Sequence, residues 1–438
     1  MRISRLLDPV TWITMVAGLS MTAVVAPFLG AQDPPRPGST TPALTLEQAR
    51  EQARRVSPEL SAAREAVAAA AARERQAGAF LNPALSYQRE QTSGGGQTNS
   101  QNIASVDQPI ELGGIRGARV DVARLRREVA EARVAAAEAQ LDFDVTRAYA
   151  LAVAADRRAT LAQHAASAFA RASSVSRARL VEGDVSGYSH RRIQLEAARY
   201  AGLLAEASLT RRTARLTLAS FLVASVDSLR GTDLILEDSV AHVSVGIAED
   251  SLLSLAARHR AELHAATLEA EAAVAEGRLV ARERIPIPTL SAGLKNEQVA
   301  GGGDFNGFVA GVSLPLPIWD RRRGAIEAAS AEGRRRVAEA EAVRRRIARE
   351  VADAAAAFRA VDEQLALLRP LLGSESQTAL RAAQVAYTEG EISLVEWLDA
   401  VRAYQEAEGT FATLRAESLI RRAALERAVG VPLSRDSR

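Results

Sequence analysis

Val106-Asp107-Gln108-Pro109-Ile110-Glu111-Leu112-Gly113-Gly114 is where the chain changes its pattern. Before it, stretches near Ala84–Gln91 and Gln101–Ile110 read as a strand pair joined across Gly94-Gly95-Gly96. After it, 68 residues from Gly114 to Val181 contain no proline and no internal glycine beyond Gly117. At ~1.5 Å per residue such a helix is ~100 Å long. No single compact core contains a rod of that length. Its apolar positions are mostly alanine, with larger side chains such as Leu125, Val129, Leu141, Val145 and Leu151 recurring along it, two pairs of them four apart. Small seams let helices approach closely, while Arg and Glu cover the solvent side.

The pattern occurs twice. Asn82-Pro83-Ala84-Leu85-Ser86 returns as Ile287-Pro288-Thr289-Leu290-Ser291, and Val106-Asp107-Gln108-Pro109-Ile110 as Val312-Ser313-Leu314-Pro315-Leu316. Glu182-Gly183-Asp184-Val185-Ser186 returns as Glu389-Gly390-Glu391-Ile392-Ser393, again about 207 residues later. Three landmarks in one order mark a duplicated half rather than a short solenoid period.

The first repeat, 44–224, opens with Thr45 as N-cap and restarts at Ser57-Pro58, a cap residue followed by proline where its missing N–H costs nothing. It then passes through the strand pair, the long helix, a tip at Glu182-Gly183-Asp184 and a return helix to Leu222. A connector, 225–248, leads to the second repeat, 249–430, and a tail at 431–438. There a helix is expected from Asp250 to Arg284, with strands at Thr289–Glu297 and Phe305–Leu316. A second 68-residue helix, Arg321 to Thr388, turns at Glu389-Gly390-Glu391 and returns to Val429. Pro370 should kink it; its counterpart near Gln163 is not proline.

Composition narrows the classes. The 438 residues carry 55 Lys+Arg and 53 Asp+Glu, a net +2 of interspersed charge rather than the basic stripe of a nucleic-acid binder. All basic residues but Lys295 are arginine, about a fifth of the chain is alanine, and aromatics are 4%. The absence of cysteine excludes disulfides, thiolate zinc sites, cysteine nucleophiles and an acylated N-terminal cysteine. Arg2 and Arg5 followed by an apolar run from Val10 to Leu29 read as a signal peptide, 1–31, with an uncleaved anchor as the alternative. The Pro-rich stretch 32–43 reads as a tether.

The strands alternate. Leu290, Ala292 and Leu294 share one face, as do Phe308, Ala310, Val312 and Leu314, against small or polar neighbours. Apolar-out over ~9–11 residues suits a membrane-spanning barrel strand; a soluble hairpin packed on the helices is the alternative. Four strands cannot close a barrel, so the membrane reading requires several copies.

On these residues the chain resembles the TolC family of outer-membrane efflux channels, in its CzcC-like cation-efflux branch. The carriers are Leu46-Glu47-Gln48-Ala49, Ser57-Pro58-Glu59-Leu60, Leu81-Asn82-Pro83, the Gln108–Gly114 segment with Arg116-Gly117-Ala118-Arg119, and the two tips, across residues 44–430. The resemblance implies a mainly α fold with a small β part: a homotrimer with a twelve-stranded transmembrane barrel and a periplasmic tunnel of antiparallel coiled coils. It also implies a passive exit duct in a tripartite pump, for heavy-metal cations or drugs, working with a periplasmic adaptor and an inner-membrane transporter of the RND type. A polypeptide-secretion duct and a periplasmic coiled-coil scaffold are the alternatives. Lipidation, frequent in such proteins, is impossible here.

Candidate chemistry is sparse. His164, His190, His242, His259 and His264 show no ligand spacing and read as solvated helix positions, so no metal, cofactor or catalytic site is expected. The glycine clusters at Gly94–Gly96 and Gly301–Gly303 lack the lysine of a phosphate loop and read as extracellular loops. Gly183 and Gly390 suit left-handed helix ends, and Ser186 and Ser393 suit caps of the next helix, which explains those residue types without a partner. The resemblance adds that the tips form the adaptor-docking mouth, where Glu182, Asp184, Glu389 and Glu391 would make an acidic, cation-favouring ring.

Overall fold

The computed structural model describes residues 43–225, 227, 234–237, 248–371 and 374–433. The leader 1–31, nearly all of the tether, much of the connector, the end of the tail and His242 lie outside the described residues.

The first half runs α1 (Leu46–Val56), α2 (Pro58–Ala77), β1 (Ala84–Gly94), β2 (Gln97–Pro109), α3 (Ile115–Glu182) and α4 (Gly187–Leu222). The second runs α5 (Glu249–His259), α6 (Ala261–Arg282), β3 (Thr289–Val299), β4 (Gly303–Ser313), α7 (Arg323–Leu368), α8 (Ser374–Glu389) and α9 (Leu394–Val429). Thr45 caps α1 through a capping box with Gln48, and the Ser57 hydroxyl accepts from the Leu60 N–H at the start of α2. The single helix expected from Asp250 to Arg284 is two helices, broken at Arg260, with neither a Ser cap nor proline to announce it. Arg260 is buried and pairs with Glu262 at 2.7 Å and Glu350 at 3.0 Å. The break thus spends its polar groups on α6 and α7 rather than on local capping.

The second long helix is also corrected. Instead of running from Arg321 to Thr388, α7 stops at Leu368 and passes into a 3₁₀ turn, Arg369–Leu371, around Pro370. Proline has no N–H to continue the ladder and its ring crowds the preceding turn. The first half's α3 keeps all 68 residues.

Four buried clusters lie along the helices. One joins α3 to α6 through Leu125, Val129, Leu268 and Leu279. Two more gather around Val145, Tyr149 and Leu218, and around Val351, Phe358 and Leu425. The fourth, around Phe169, Tyr200 and Trp397, joins the two hairpins. Leu151, expected in the seam, is instead exposed.

The strands form one antiparallel sheet in the order β1-β2-β3-β4, with β2 and β3 joining the halves. The β1–β2 turn is two residues, Gly95 and Gly96, at φ 61° and 79°, the doubly positive geometry that matches strand twist. Gly293 lies so close to β2 that an added Cβ would sit 2.3 Å from the Ala104 carbonyl oxygen. Among the described residues no helix packs substantially on either face of the sheet, unlike the arrangement that the packed-hairpin alternative expects. β4 ends at Ser313, so Leu314 lies past the strand; Pro315 follows and cannot donate to a ladder.

Candidate functional site: the exposed sheet face and the paired helix tips

Register decides which side chains share a face. Leu290 lies opposite Val312, Ala292 opposite Ala310 and Leu294 opposite Phe308, and β2 adds Val106 and β1 adds Leu85 and Tyr87. Phe308 is 85% exposed and Val312 72%. Large apolar side chains in three aligned rows, with nothing covering them, are unfavourable in water, each at about 1.5–3 kcal/mol. The opposite face carries Ser86, Ser105, Asp107 and Ser291, with Ser86 bonded to Ser105 at 2.7 Å and to Asp107 at 2.8 Å. Both outer edges, on β1 and β4, are unpaired among the described residues.

The motif at Gln108–Arg119 proves to be a corner between strand and helix. Gly113 and Gly114 sit at φ 69° and 70°, and a Cβ on Gly113 would meet Ile285 at 2.2 Å. Arg119 donates to both oxygens of Glu111 and to the carbonyls of Ala77 and Ala79, while Arg116 donates to that of Gly78. These arginines close the end of α2 and aim α3 away from the sheet. Their role is positional.

At the far end lie the tips. Gly183 and Gly390 adopt φ 86° and 84°, ending α3 and α8. Ser186 accepts from the Ser189 N–H, and Ser393 forms a capping box with Glu396. Glu182, Asp184, Glu389 and Glu391 are all exposed. The tips stand side by side, since Arg179 donates to the Thr388 carbonyl at 3.5 Å. His190, expected in solvent, is buried behind the first tip against Ser176 at 3.2 Å.

Sequence reading missed what couples the hairpins. Phe169 stacks on Tyr200 with centroids 4.3 Å apart, Trp397 stacks on Tyr387 at 5.0 Å, and Phe169 meets Trp397 at 5.1 Å. Burial pushes the Tyr387 and Tyr200 phenols up from their ordinary values, opposed by Arg179 and by Arg199, respectively. Arg402 reaches Glu196 at 2.5 Å, and Arg157 reaches the buried Glu408 at 3.2 Å. The only signal was the scarcity of aromatics. Among the described residues no three His, Asp or Glu side chains gather as a metal site. No helix there is long and apolar enough to cross a membrane, which says nothing of a barrel.

Residues 252–431 match the outer membrane efflux protein family. Over those residues the chain is similar to that family. It is 28% identical over 375 residues to the cobalt-zinc-cadmium resistance protein CzcC of Cupriavidus metallidurans, covering 83% of this chain and 84% of the relative. It is 30% identical over 270 residues to the nickel-cobalt-cadmium resistance protein NccC of Alcaligenes xylosoxydans xylosoxydans, covering 60% and 58%. Its fold is similar to that of the Campylobacter jejuni CmeC outer membrane channel, at TM-score 0.73 and 14% identity, covering 90% of this chain and 87% of that one. The unpartnered sheet and the long helices therefore take their places as those of an outer-membrane efflux channel with a periplasmic tunnel.

Proposed function

We propose that three copies pair β4 of one with β1 of the next into a twelve-stranded barrel, placing Leu290, Ala292, Leu294, Phe308, Ala310 and Val312 in lipid. The chain is a passive duct that performs no chemistry; an inner-membrane transporter supplies the energy and an adaptor hands over cargo at the tips. Glu182, Gly183, Asp184, Ser186, Glu389, Gly390, Glu391 and Ser393 form the docking mouth. Cargo is divalent heavy-metal cations, a reading supported by the likeness to CzcC along most of both chains. The observation that carries the channel reading is the apolar sheet face with no helix over it.

The test is single-channel recording of the purified protein in a planar bilayer, with the cation-to-anion permeability ratio. Cation-preferring steps, reduced in preference by Glu389→Ala with Glu391→Ala, are expected. Silence in both proteins would turn the reading toward a scaffold. For docking, Gly390→Pro should abolish adaptor cross-linking while the trimer persists; undiminished cross-linking would remove the tips from the interface.

A further inference from the structure

The apolar rows of the sheet are too short for a membrane. From Phe308 to Val312 is four residues, about 14 Å along the strand and about 10 Å along the normal of a tilted barrel, against an apolar belt of about 25 Å. Above Phe308 the face turns polar at once, with Asn306, Asn296, Asn102 and Arg89 in the next row. The shortfall can only be met at the helix end.

There the chain continues past Ser313 through Leu314, Leu316, Ile318 and Trp319, all exposed, with Trp319 at 92%. Those six positions extend at most about 20 Å further. Arginines follow immediately. Arg284, Arg321 and Arg323 are exposed and make no hydrogen bond or ion pair among the described residues. Arg322 holds the cluster together: it pairs with Glu283 at 2.8 Å, and its N–H donates to Asp320 at 2.7 Å. Arg322 sits at φ 55°, the one non-glycine residue with positive φ among those described. Its counterpart ahead of the other long helix is Gly114. From Pro315 to Arg322 is two residues longer than from Pro109 to Gly114, so Trp319 and its neighbours occupy an extension the first half lacks.

We propose that Trp319 with Arg284, Arg321 and Arg323 binds the phosphate headgroup of an anionic phospholipid in the periplasmic leaflet of the outer membrane, with Leu314, Leu316 and Ile318 against its acyl chains. The inference rests on the channel reading. An indole belongs at the polar–apolar boundary of a bilayer, and guanidinium forks fit phosphate oxygens. The site is continuous with the lipid-facing rows through Val312. Asp320 and Glu283 are its acids, both engaged by Arg322.

The chain has three tryptophans, so Trp12→Phe with Trp397→Phe leaves Trp319 as the only indole. In vesicles of brominated phosphatidylcholine, its fluorescence should be quenched most by lipid brominated near the headgroup. Quenching by iodide alone would overturn the site. A parallel protein with Trp319→Phe and Phe308→Trp reports the strand face: quenching there without quenching at Trp319 defeats this inference only, and quenching in neither defeats the channel reading itself. For the headgroup, native mass spectrometry should show retained phosphatidylglycerol, held roughly a hundredfold more weakly after Arg284→Gln, Arg321→Gln and Arg323→Gln together, as three basic groups near an anionic surface imply. Equal retention of phosphatidylcholine, or displacement by millimolar inorganic phosphate, would overturn it.

Discussion

Phe169 and Trp397 meet with ring centroids 5.1 Å apart, one from each half of the chain, and both are buried. The contact ties the α3–α4 hairpin to the α8–α9 hairpin just behind the tips, where Tyr387 and Tyr200 extend the stack. Trp397→Ala removes a fully packed side chain and should cost about 3–5 kcal/mol locally. Amide exchange in α8 and α9 should accelerate accordingly while α6 and the sheet stay protected. Uniform acceleration across the chain would show that the stack is not a local lock.

Val312 lies opposite Leu290 in the row of the exposed apolar face nearest the helices. Val312→Arg puts a guanidinium into hydrocarbon at about 2–4 kcal/mol per copy, tripled in a closed trimer. The yield of assembled protein in outer-membrane fractions should collapse, whereas Ser291→Arg on the opposite face should be tolerated.

Gly293 is the tightest point between β2 and β3, its absent Cβ 2.3 Å from the Ala104 carbonyl oxygen. Gly293→Val should disrupt the β2–β3 ladder and abolish barrel formation without unfolding the helices. Circular dichroism should keep its helical signal as trimer yield falls; retained trimer would contradict the close approach.

The Glu396 carboxylate accepts the Ser393 N–H at 2.7 Å, which holds its pKa below the ordinary glutamate range. A lowered folded value means that this contribution to the second tip is complete above the ordinary range and is lost as pH falls through the folded value. Exchange at the Ser393–Trp397 amides should rise on acidification below about pH 4. Glu396→Gln, which keeps the capping geometry without a titrating proton, should flatten that dependence.

Much of this architecture was legible because it is written locally. Proline placement, glycine pairs and strand alternation marked the corner at Gln108–Gly114, both tips and the four strands, and duplication confirmed each from the other. The break at Arg260 was not legible, since Arg260 is held by Glu262 and Glu350 rather than by a local cap. Nor was the burial of His190, whose partner Ser176 lies across the hairpin. The end of β4 before Leu314 could have been read from Pro315.

Period, breakers and repeat by themselves determined that this chain makes two long helical hairpins and a four-stranded sheet. They also determined that one sheet face is apolar, because each of those properties depends on residues a few positions apart. Only the tertiary structure decided that no described helix covers that face, that four aromatics from both halves lock the hairpins together, and that Arg322 pairs with Glu283 across the two ends of the second strand pair. Those depend on residues brought together from opposite ends of a repeat, and pairing at such distances is set by helix length and packing rather than by local pattern.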